Sequence, residues 1–187
     1  LQTGMAGTFI AQDLILFFVF FELVLLPMYF MIGVWGGEQR KYASLKFFLY
    51  TMFGSAFMLV AFLALFFQTD AVSFGFAHLV DAGAGIDKDV QIWIFAGMFL
   101  GFAVKVPMFP FHTWLPDAHT QAPTQGSVIL AAILLKLGTY GFVRIAIPFL
   151  PQAAVEWAPY IGILAVIGII YGALGCLAQT DMKRLIA

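Results

Sequence analysis

Charged residues are scarce in this sequence. Lysine and arginine together number nine, and aspartate and glutamate number ten, among 187 residues, so the net charge is −1. A charge so close to zero gives no electrostatic basis for binding nucleic acid, and no basic cluster is long enough to indicate an anionic-lipid patch. The single cysteine, Cys176, excludes a disulfide framework within the chain and a Cys-x-x-Cys metal site. The sequence also lacks a nucleotide-binding loop, a nucleophile motif and a set of metal ligands.

Apolar residues take the place of the missing charge. The chain is 63% hydrophobic with a mean hydropathy of +0.98, against roughly 45–50% apolar residues in soluble domains. This composition predicts an all-α polytopic membrane protein embedded in a lipid bilayer. The chain begins with Leu1 and has no secretory leader pattern. We therefore expect residues 1–187 to be a single membrane domain and a fragment of a larger subunit.

Hydropathy divides the chain into about five complete spans and one partial helix, with Pro148, Pro151 and Pro159 in a short outer loop before the last span. The third span has only about fifteen residues before prolines interrupt it, which is short for a full crossing. Basic residues in the first loop and near the C-terminal end place both segments inside, and an acidic loop lies outside. The predicted partial helix and spans are 1–12, 13–35, 42–67, 91–105, 124–147 and 160–177. The acidic loop, 68–90, contains Asp70, Asp81, Asp87 and Asp89 against Lys88.

The interruption of the third span is the least regular part of the chain. Lys105 ends an apolar helical run, and three prolines, two histidines and an aspartate follow within fourteen residues. Each proline removes a backbone donor and clashes with the preceding helical turn. In lipid, the freed backbone groups must be satisfied by protein or by water. A broken segment at membrane depth is costly, which favours a functional role for it.

Three ionisable residues, Glu22, Lys105 and Lys136, are predicted at membrane depth. A charge at a helix centre costs about 2.5–3.5 kcal/mol on insertion scales. One interpretation is a proton or cation relay, in which a Glu22–Lys105 pair controls the lysine and Lys136 is the next acceptor, because desolvated groups can change charge near neutral pH. The alternative is a structural ion pair that joins helices, plus one lysine whose head group reaches toward the interface.

Residues close to the membrane boundary leave more than one interpretation open. Lys46 lies within a turn of the inner loop, so it could join the relay or simply extend its head group toward water. His112 and His119 could pass protons or hydrogen-bond the loose backbone, and a haem site is disfavoured because both lie in one broken segment. Asp13, Asp117 and Arg144 are interpreted as interfacial anchors or caps. His78 is expected to be solvated, and glycines are expected to mark close helix packing: Gly4, Gly7, Gly162, Gly168, Gly172 and Gly175.

Several motifs resemble one known family, the antiporter-like membrane subunits of respiratory complex I, the proton-pumping NADH:quinone oxidoreductase. The similarity covers nearly the whole chain, and the run from Lys105 to Val128 is the most specific part. Within that run, Asp117-Ala118-His119 and Ala122-Pro123-Thr124 resemble the branch called subunit M or chain 4. The matching stretches are 21–23, 27–30, 46–48, 103–107, 112–119, 122–124, 126–128 and 179–187.

The resemblance implies a subunit of about fourteen helices with two inverted five-helix repeats, each containing a broken helix. The chain would hold most of the first repeat. Glu22 then matches the glutamate of the fifth helix, Lys105 the lysine at the break and Lys136 the central lysine of the eighth helix. Lys46 and His119 match positions that belong to the same relay or to its cytoplasmic input.

The resemblance also implies what surrounds the chain. It implies a multi-pass protein of a bacterial inner membrane, beside L-like and N-like antiporter subunits of the same complex. No cofactor is expected in this chain, whereas NADH, FMN, iron–sulfur clusters and quinone are implied in partner subunits. A stand-alone multisubunit cation/proton antiporter without electron transfer is the alternative. A scaffold whose charges only pack helices is a third hypothesis.

Overall fold

The protein is described by a computed structural model that covers residues 1–69 and 71–187 and is almost entirely helical, so Asp70 of the predicted acidic loop lies outside the described residues. A turn at Val24 divides α2 into Leu14–Leu23 and Leu25–Trp35. Two π-helical turns, Leu130–Leu134 and Phe142–Ala146, interrupt α7. The helices are α1 (Gln2–Ile10), α2 (Leu14–Trp35), α3 (Arg40–Gln68), α4 (Phe76–Ala84), α5 (Lys88–Lys105), α6 (Trp114–Gln121), α7 (Thr124–Phe149), α8 (Pro151–Leu177) and α9 (Met182–Ile186).

Four of these helices, α2, α3, α7 and α8, are long and apolar enough to cross a membrane. The 18 residues of α5 form the predicted third span, which ends at Lys105 where the sequence indicated a break. At 1.5 Å per residue, α5 is about 27 Å long, slightly less than the roughly 30 Å of a bilayer core. The predicted class, an all-α polytopic membrane protein with one proline-broken helix, is confirmed.

Two boundaries differ from the prediction. The prediction of a short outer loop before the last span is wrong, because α8 begins at Pro151 and continues through Pro159. Proline at the first position of a helix costs little, since the missing N–H would have no intrahelical acceptor there. Within the segment predicted as an acidic loop, residues Phe76–Ala84 form the short helix α4.

A close helix crossing lies between α3 and α5, where two glycines face each other. A methyl group on Gly101 would lie 2.6 Å from the Met58 Cβ atom and 3.0 Å from the Gly54 carbonyl oxygen. The two backbones therefore touch, as small residues allow in membrane helices. Lys105 is one helical turn beyond Gly101, so this crossing holds the end of α5 against α3.

Because the resemblance implies a subunit of a larger complex, Gly101→Leu in the full-length subunit is expected to lower the amount of complex assembled in the membrane. Overpacking of a tight contact costs about 1–3 kcal/mol, and here part of the obstacle is backbone. Native gel electrophoresis of solubilised membranes measures the assembled fraction. Gly85→Ala is the control, because the added methyl group would meet only the Ala82 carbonyl oxygen at 3.5 Å. Equal assembly of both variants would contradict the proposed tight crossing.

Hydrogen bonds and ion pairs gather at the two ends of the helices. At one end, the Gly37 N–H donates to the Gln121 carbonyl oxygen at 2.9 Å, and the Lys183 ammonium donates to the Ala122 carbonyl oxygen at 3.3 Å. At the other end, Lys88 pairs with Glu156 at 2.8 Å. The two basic segments thus lie at the same end, as the alternation of spans predicts.

The glycines predicted to pack closely behave differently in the first and last helices. A methyl group on Gly4 would lie 2.8 Å from a Val24 methyl carbon, and one on Gly7 would collide with the Phe20 ring, so both mark close packing of α1 on α2. In α8, only Ala153 is buried. A methyl group on Gly168 would lie 4.0 Å from the Phe109 Cβ atom, and one on any other α8 glycine would meet nothing within 4 Å, so the predicted close packing is not present among the described residues.

Candidate functional site

Lys105 is the buried charge at the centre of the site. Its residue exposure is 2%, and its ammonium has no hydrogen-bond partner among the described residues. The Nζ atom lies 4.7 Å from the centre of the Phe21 ring and 6.0 Å from that of Phe47. Gly138 of α7 approaches the Lys105 side chain, since a methyl group on it would lie 3.1 Å from the Lys105 Cβ atom. Aromatic faces attract a cation but accept no proton from it.

Glu22 is the carboxylate that faces this lysine from α2. Its Oε1 atom is buried and has no hydrogen-bond partner within residues 1–69 and 71–187, and the Lys105 charge and the Ser55 hydroxyl lie close enough to act on the carboxylate. The Ser55 hydroxyl donates instead to the Met52 carbonyl oxygen at 3.1 Å. The predicted Glu22–Lys105 ion pair is therefore not a direct contact among the described residues. The ammonium lies over the ring of Phe21, the neighbour of Glu22, so the two charges interact through space.

The break after α5 satisfies its own backbone groups with protein. The Trp114 indole N–H donates to the Val104 carbonyl oxygen at 2.9 Å, and the Met108 N–H donates to the Ala103 carbonyl oxygen at 2.9 Å. Trp114 is fully buried, and its ring packs 5.3 Å from that of Phe47. One aromatic residue thus caps the broken helix and packs beside the lysine that ends it.

Lys136 lies apart from the other two predicted relay residues. It is exposed on the surface of the described chain, and its ammonium donates to the Ala131 carbonyl oxygen at 2.8 Å, within a π-helical turn of α7. Gly138, which does face Lys105, is two residues further, or about 200° around a helix. The structure therefore joins Glu22 and Lys105 in one cluster and places Lys136 on another face of α7.

Lys46 makes a direct ion pair that the sequence analysis missed. Its Nζ atom lies 2.7 Å from the Asp117 Oδ2 atom, and the two side chains are only 20% and 25% exposed. A second cation, Arg184, lies 3.9 Å from the Asp117 Oδ1 atom. Asp117 is therefore a shared ion-pair partner rather than the interfacial anchor or cap that was predicted. Both Lys46 and Asp117 were predicted near the inner boundary, so their opposite charges were the available signal.

The two histidines lie near the break without joining the Glu22–Lys105 cluster. His119 is half-buried, and its carbonyl oxygen accepts a hydrogen bond from the Ser127 hydroxyl at 3.1 Å. The His112 Nδ1 atom is buried and meets no hydrogen-bond partner in the part of the chain that the structure describes, and the His112 ring stacks with that of Phe109 at a centroid distance of 5.7 Å. Neither imidazole hydrogen-bonds the loose backbone among the described contacts.

The cap predicted at Asp13 is confirmed. The Asp13 carboxylate accepts hydrogen bonds from the N–H groups of Ile15 and Leu16, both at 3.0 Å, and so caps α2. The Arg144 guanidinium donates to the Gln12 side-chain oxygen at 3.1 Å. Among the described residues, no group of three histidine, cysteine, aspartate or glutamate side chains could hold a metal ion.

Comparisons with known proteins give the family. Residues 11–187 match the family described as NADH:quinone oxidoreductase/Mrp antiporter, TM. The chain belongs to this family. A relative from Rickettsia typhi, NADH-quinone oxidoreductase subunit M, is 53% identical over 97% of this chain and 36% of its own length. The chain thus spans little more than a third of that relative.

Solved structures agree with the family. Respiratory complex I from Thermus thermophilus with bound NADH contains a chain that matches 96% of this one, with a TM-score of 0.86 and 36% identity, over 38% of that chain. The archaeal membrane-bound sulfane sulfur reductase matches 98% of this chain, with a TM-score of 0.87 and 26% identity, over 37% of the matched chain. The fold of the family therefore occurs in respiratory complexes with different names.

Proposed function

We propose that this chain is part of a proton-translocating, antiporter-like subunit of a bacterial inner-membrane NADH-quinone oxidoreductase. The observation that carries the proposal is the Lys105 ammonium, which is fully buried at a helix break and has no hydrogen-bond partner in the described part of the chain. The carboxylate of Glu22, also without a partner for one oxygen, lies close enough to act on it. Buried membrane charges that are not locked into pairs are favoured candidates for proton relays.

The geometry suggests how the two residues would work together. A proton on Lys105 is stabilised by a negative Glu22 and by two aromatic rings, but no hydrogen bond holds it in place. A small movement of α2 relative to α5 would change the distance between the charges, and with it the proton affinity of the lysine. Lys105 would therefore load or release a proton in response to a change in helix position.

Further steps of the relay involve residues on other faces of the chain. Lys136 is at the centre of α7 and would exchange protons with parts of the subunit outside this chain, because its side chain is exposed here. Lys46 and His119 lie toward the inner end of the helices and would belong to the entry side. The free energy would come from partner subunits, which include L-like and N-like antiporter subunits and those that hold NADH, FMN, iron–sulfur clusters and quinone.

Glu22→Gln tests the proposal in the full-length subunit within the assembled complex. We expect proton pumping to fall at least roughly ten-fold together with quinone reductase turnover, because the amide cannot supply the charge that acts on Lys105. Both rates are measured in inverted membrane vesicles with NADH. Unchanged proton pumping and quinone reductase turnover in the assembled Glu22→Gln complex would defeat the proposal. Sodium-driven proton movement in vesicles without NADH would instead favour the stand-alone antiporter.

A further inference from the structure

A group of charges lies at the inner end of the helices, and two of its members, Lys46 and Asp117, are 71 residues apart in the chain. Lys46 of α3 and Asp117 of α6 form an ion pair at 2.7 Å, and Arg184 of α9 lies 3.9 Å from the other carboxylate oxygen. Asp117 stands in the first turn of α6, where the helix dipole also favours a negative charge. One carboxylate thus joins three helices.

The position of α6 explains why such a contact matters for the buried lysine. This helix begins at Trp114, whose indole N–H caps the Val104 carbonyl oxygen one residue before Lys105. A force that moves α6 relative to α3 is therefore transmitted through Trp114 to the end of α5. The break contains no regular helix between 106 and 113, so side-chain contacts must fix the distance between α6 and α3.

Other contacts at this end leave the Lys46–Asp117 pair as the one direct side-chain ion pair from α6 to α3 among the described residues. The Tyr50 and Thr113 hydroxyls also meet, at 2.8 Å, just before α6 begins. Gln121 binds the loop before α3 through the Gly37 and Gln39 N–H groups, at 2.9 Å and 3.0 Å. The neutral bonds are made by the residue before α6 and by its last residue, whereas the ion pair is made by Asp117 within the first turn.

We propose that Asp117 is a positioning residue for proton transfer at Lys105, and that it acts by holding the first turn of α6 to Lys46. The inference rests on the proposed function. Charge-assisted hydrogen bonds are stronger than neutral ones, and this pair is three-quarters or more shielded from water. The Lys46–Asp117 pair therefore acts as a latch. While this ion pair is formed, the break and the Lys105 ammonium keep the geometry of the structure.

The test uses variants of the full-length subunit in the assembled complex. Asp117→Asn keeps the size of the side chain and removes its charge, and Lys46→Met removes the other partner. We expect each to lower quinone reductase turnover and proton pumping roughly ten-fold, with the KM for quinone unchanged. Asp117→Glu and the exchanged pair Lys46→Asp with Asp117→Lys are expected to recover at least half of the turnover, since each retains opposite charges.

The exposed pair at the other end supplies a matched control. Lys88 and Glu156 are 2.8 Å apart but 53% and 47% exposed, so Glu156→Gln is expected to change turnover less than two-fold. Native gels establish that each variant assembles. If Asp117→Asn does not assemble, Lys46→Met provides the same test from the other partner.

Two results would overturn the inference. One is unchanged turnover in assembled Asp117→Asn or Lys46→Met complexes. The other is a loss that neither Asp117→Glu nor the exchanged pair recovers, because that loss would not depend on the charge pair. The proposed function is tested separately by Glu22→Gln in the same membranes. Normal turnover of the Asp117 variant together with a Glu22→Gln defect would reject the latch alone.

Discussion

Replacing Lys105 by methionine is expected to reduce proton pumping to the background of the membrane, a loss of at least about 100-fold. Methionine keeps most of the length and apolar volume of the lysine side chain but cannot carry a proton. Quinone reductase turnover is expected to fall with pumping, because the two are coupled in the proposed function. The measurement is proton uptake into inverted vesicles, related to the amount of assembled complex.

The same variant distinguishes a functional charge from a structural one. A buried cation without a partner is unfavourable for folding, so Lys105→Met is expected to leave the thermal stability of the complex unchanged or to raise it. A structural lysine would show the opposite result, with stability and assembly lost together. Retained assembly without pumping therefore supports the relay, whereas a parallel loss of assembly and pumping supports the scaffold hypothesis.

Lys105→Arg supplies the second comparison. Arginine keeps the positive charge but does not give up its proton under physiological conditions. If only the positive charge at the break matters, Lys105→Arg pumps normally, and the hypothesis that Lys105 binds and releases protons is wrong. We expect it to fail as Lys105→Met does. Lys88→Gln, at an exposed position of the opposite end, controls for general effects of removing a lysine.

Hydropathy predicted most of the architecture because the bilayer leaves few alternatives. A backbone in lipid must satisfy its hydrogen bonds internally, so long apolar runs become helices. The predicted spans at 13–35, 42–67 and 124–147 correspond closely to α2, α3 and α7. The predicted start of the last span was wrong because the prolines before it were interpreted as loop residues. Pro151 begins the helix and Pro159 lies inside it.

The site was predicted less completely than the fold, because residue spacing does not give helix rotation. The positions of Glu22, Lys105 and Lys136 along their predicted spans placed all three at a similar membrane depth. In the structure, only Glu22 and Lys105 share a cluster. A π-helical turn ends two residues before Lys136, and hydropathy contains no signal for such a change of register. The pairing of Lys46 with Asp117 was missed for a related reason. It joins helices whose contact depends on the path of the broken segment.

The arrangement of aromatic residues connects the charges to the break. Phe21 precedes Glu22 and lies under the Lys105 ammonium, while Phe47 follows Lys46 by one residue and packs against Trp114. A displacement of α3 would therefore reach both the inner ion pair and the buried lysine. Packed cores respond to such displacements by switching between discrete arrangements. In the proposed function, these aromatic contacts provide a physical route from partner subunits to Lys105.

Trp114→Ala is the substitution with the largest expected effect on the structure of the break. Truncating a buried tryptophan costs about 3–5 kcal/mol in protein cores, and this one also leaves the Val104 carbonyl oxygen without its donor. We expect the variant subunit to assemble poorly, and any assembled complex to lose pumping and to admit solvent to Lys105. Hydrogen–deuterium exchange of the 103–114 segment, together with native gels, measures both effects.

Trp114→Phe separates packing from hydrogen bonding. Phenylalanine retains an aromatic ring beside Phe47 but lacks the indole N–H, so only the unsatisfied carbonyl remains, at a cost of about 1–3 kcal/mol. We expect assembly to be restored while exchange at Val104 and Lys105 stays faster than in the unmodified complex. Normal exchange in Trp114→Phe would show that packing alone holds the break. In that case the latch at Asp117 would act on Lys105 through the ring of Trp114 and not through its hydrogen bond.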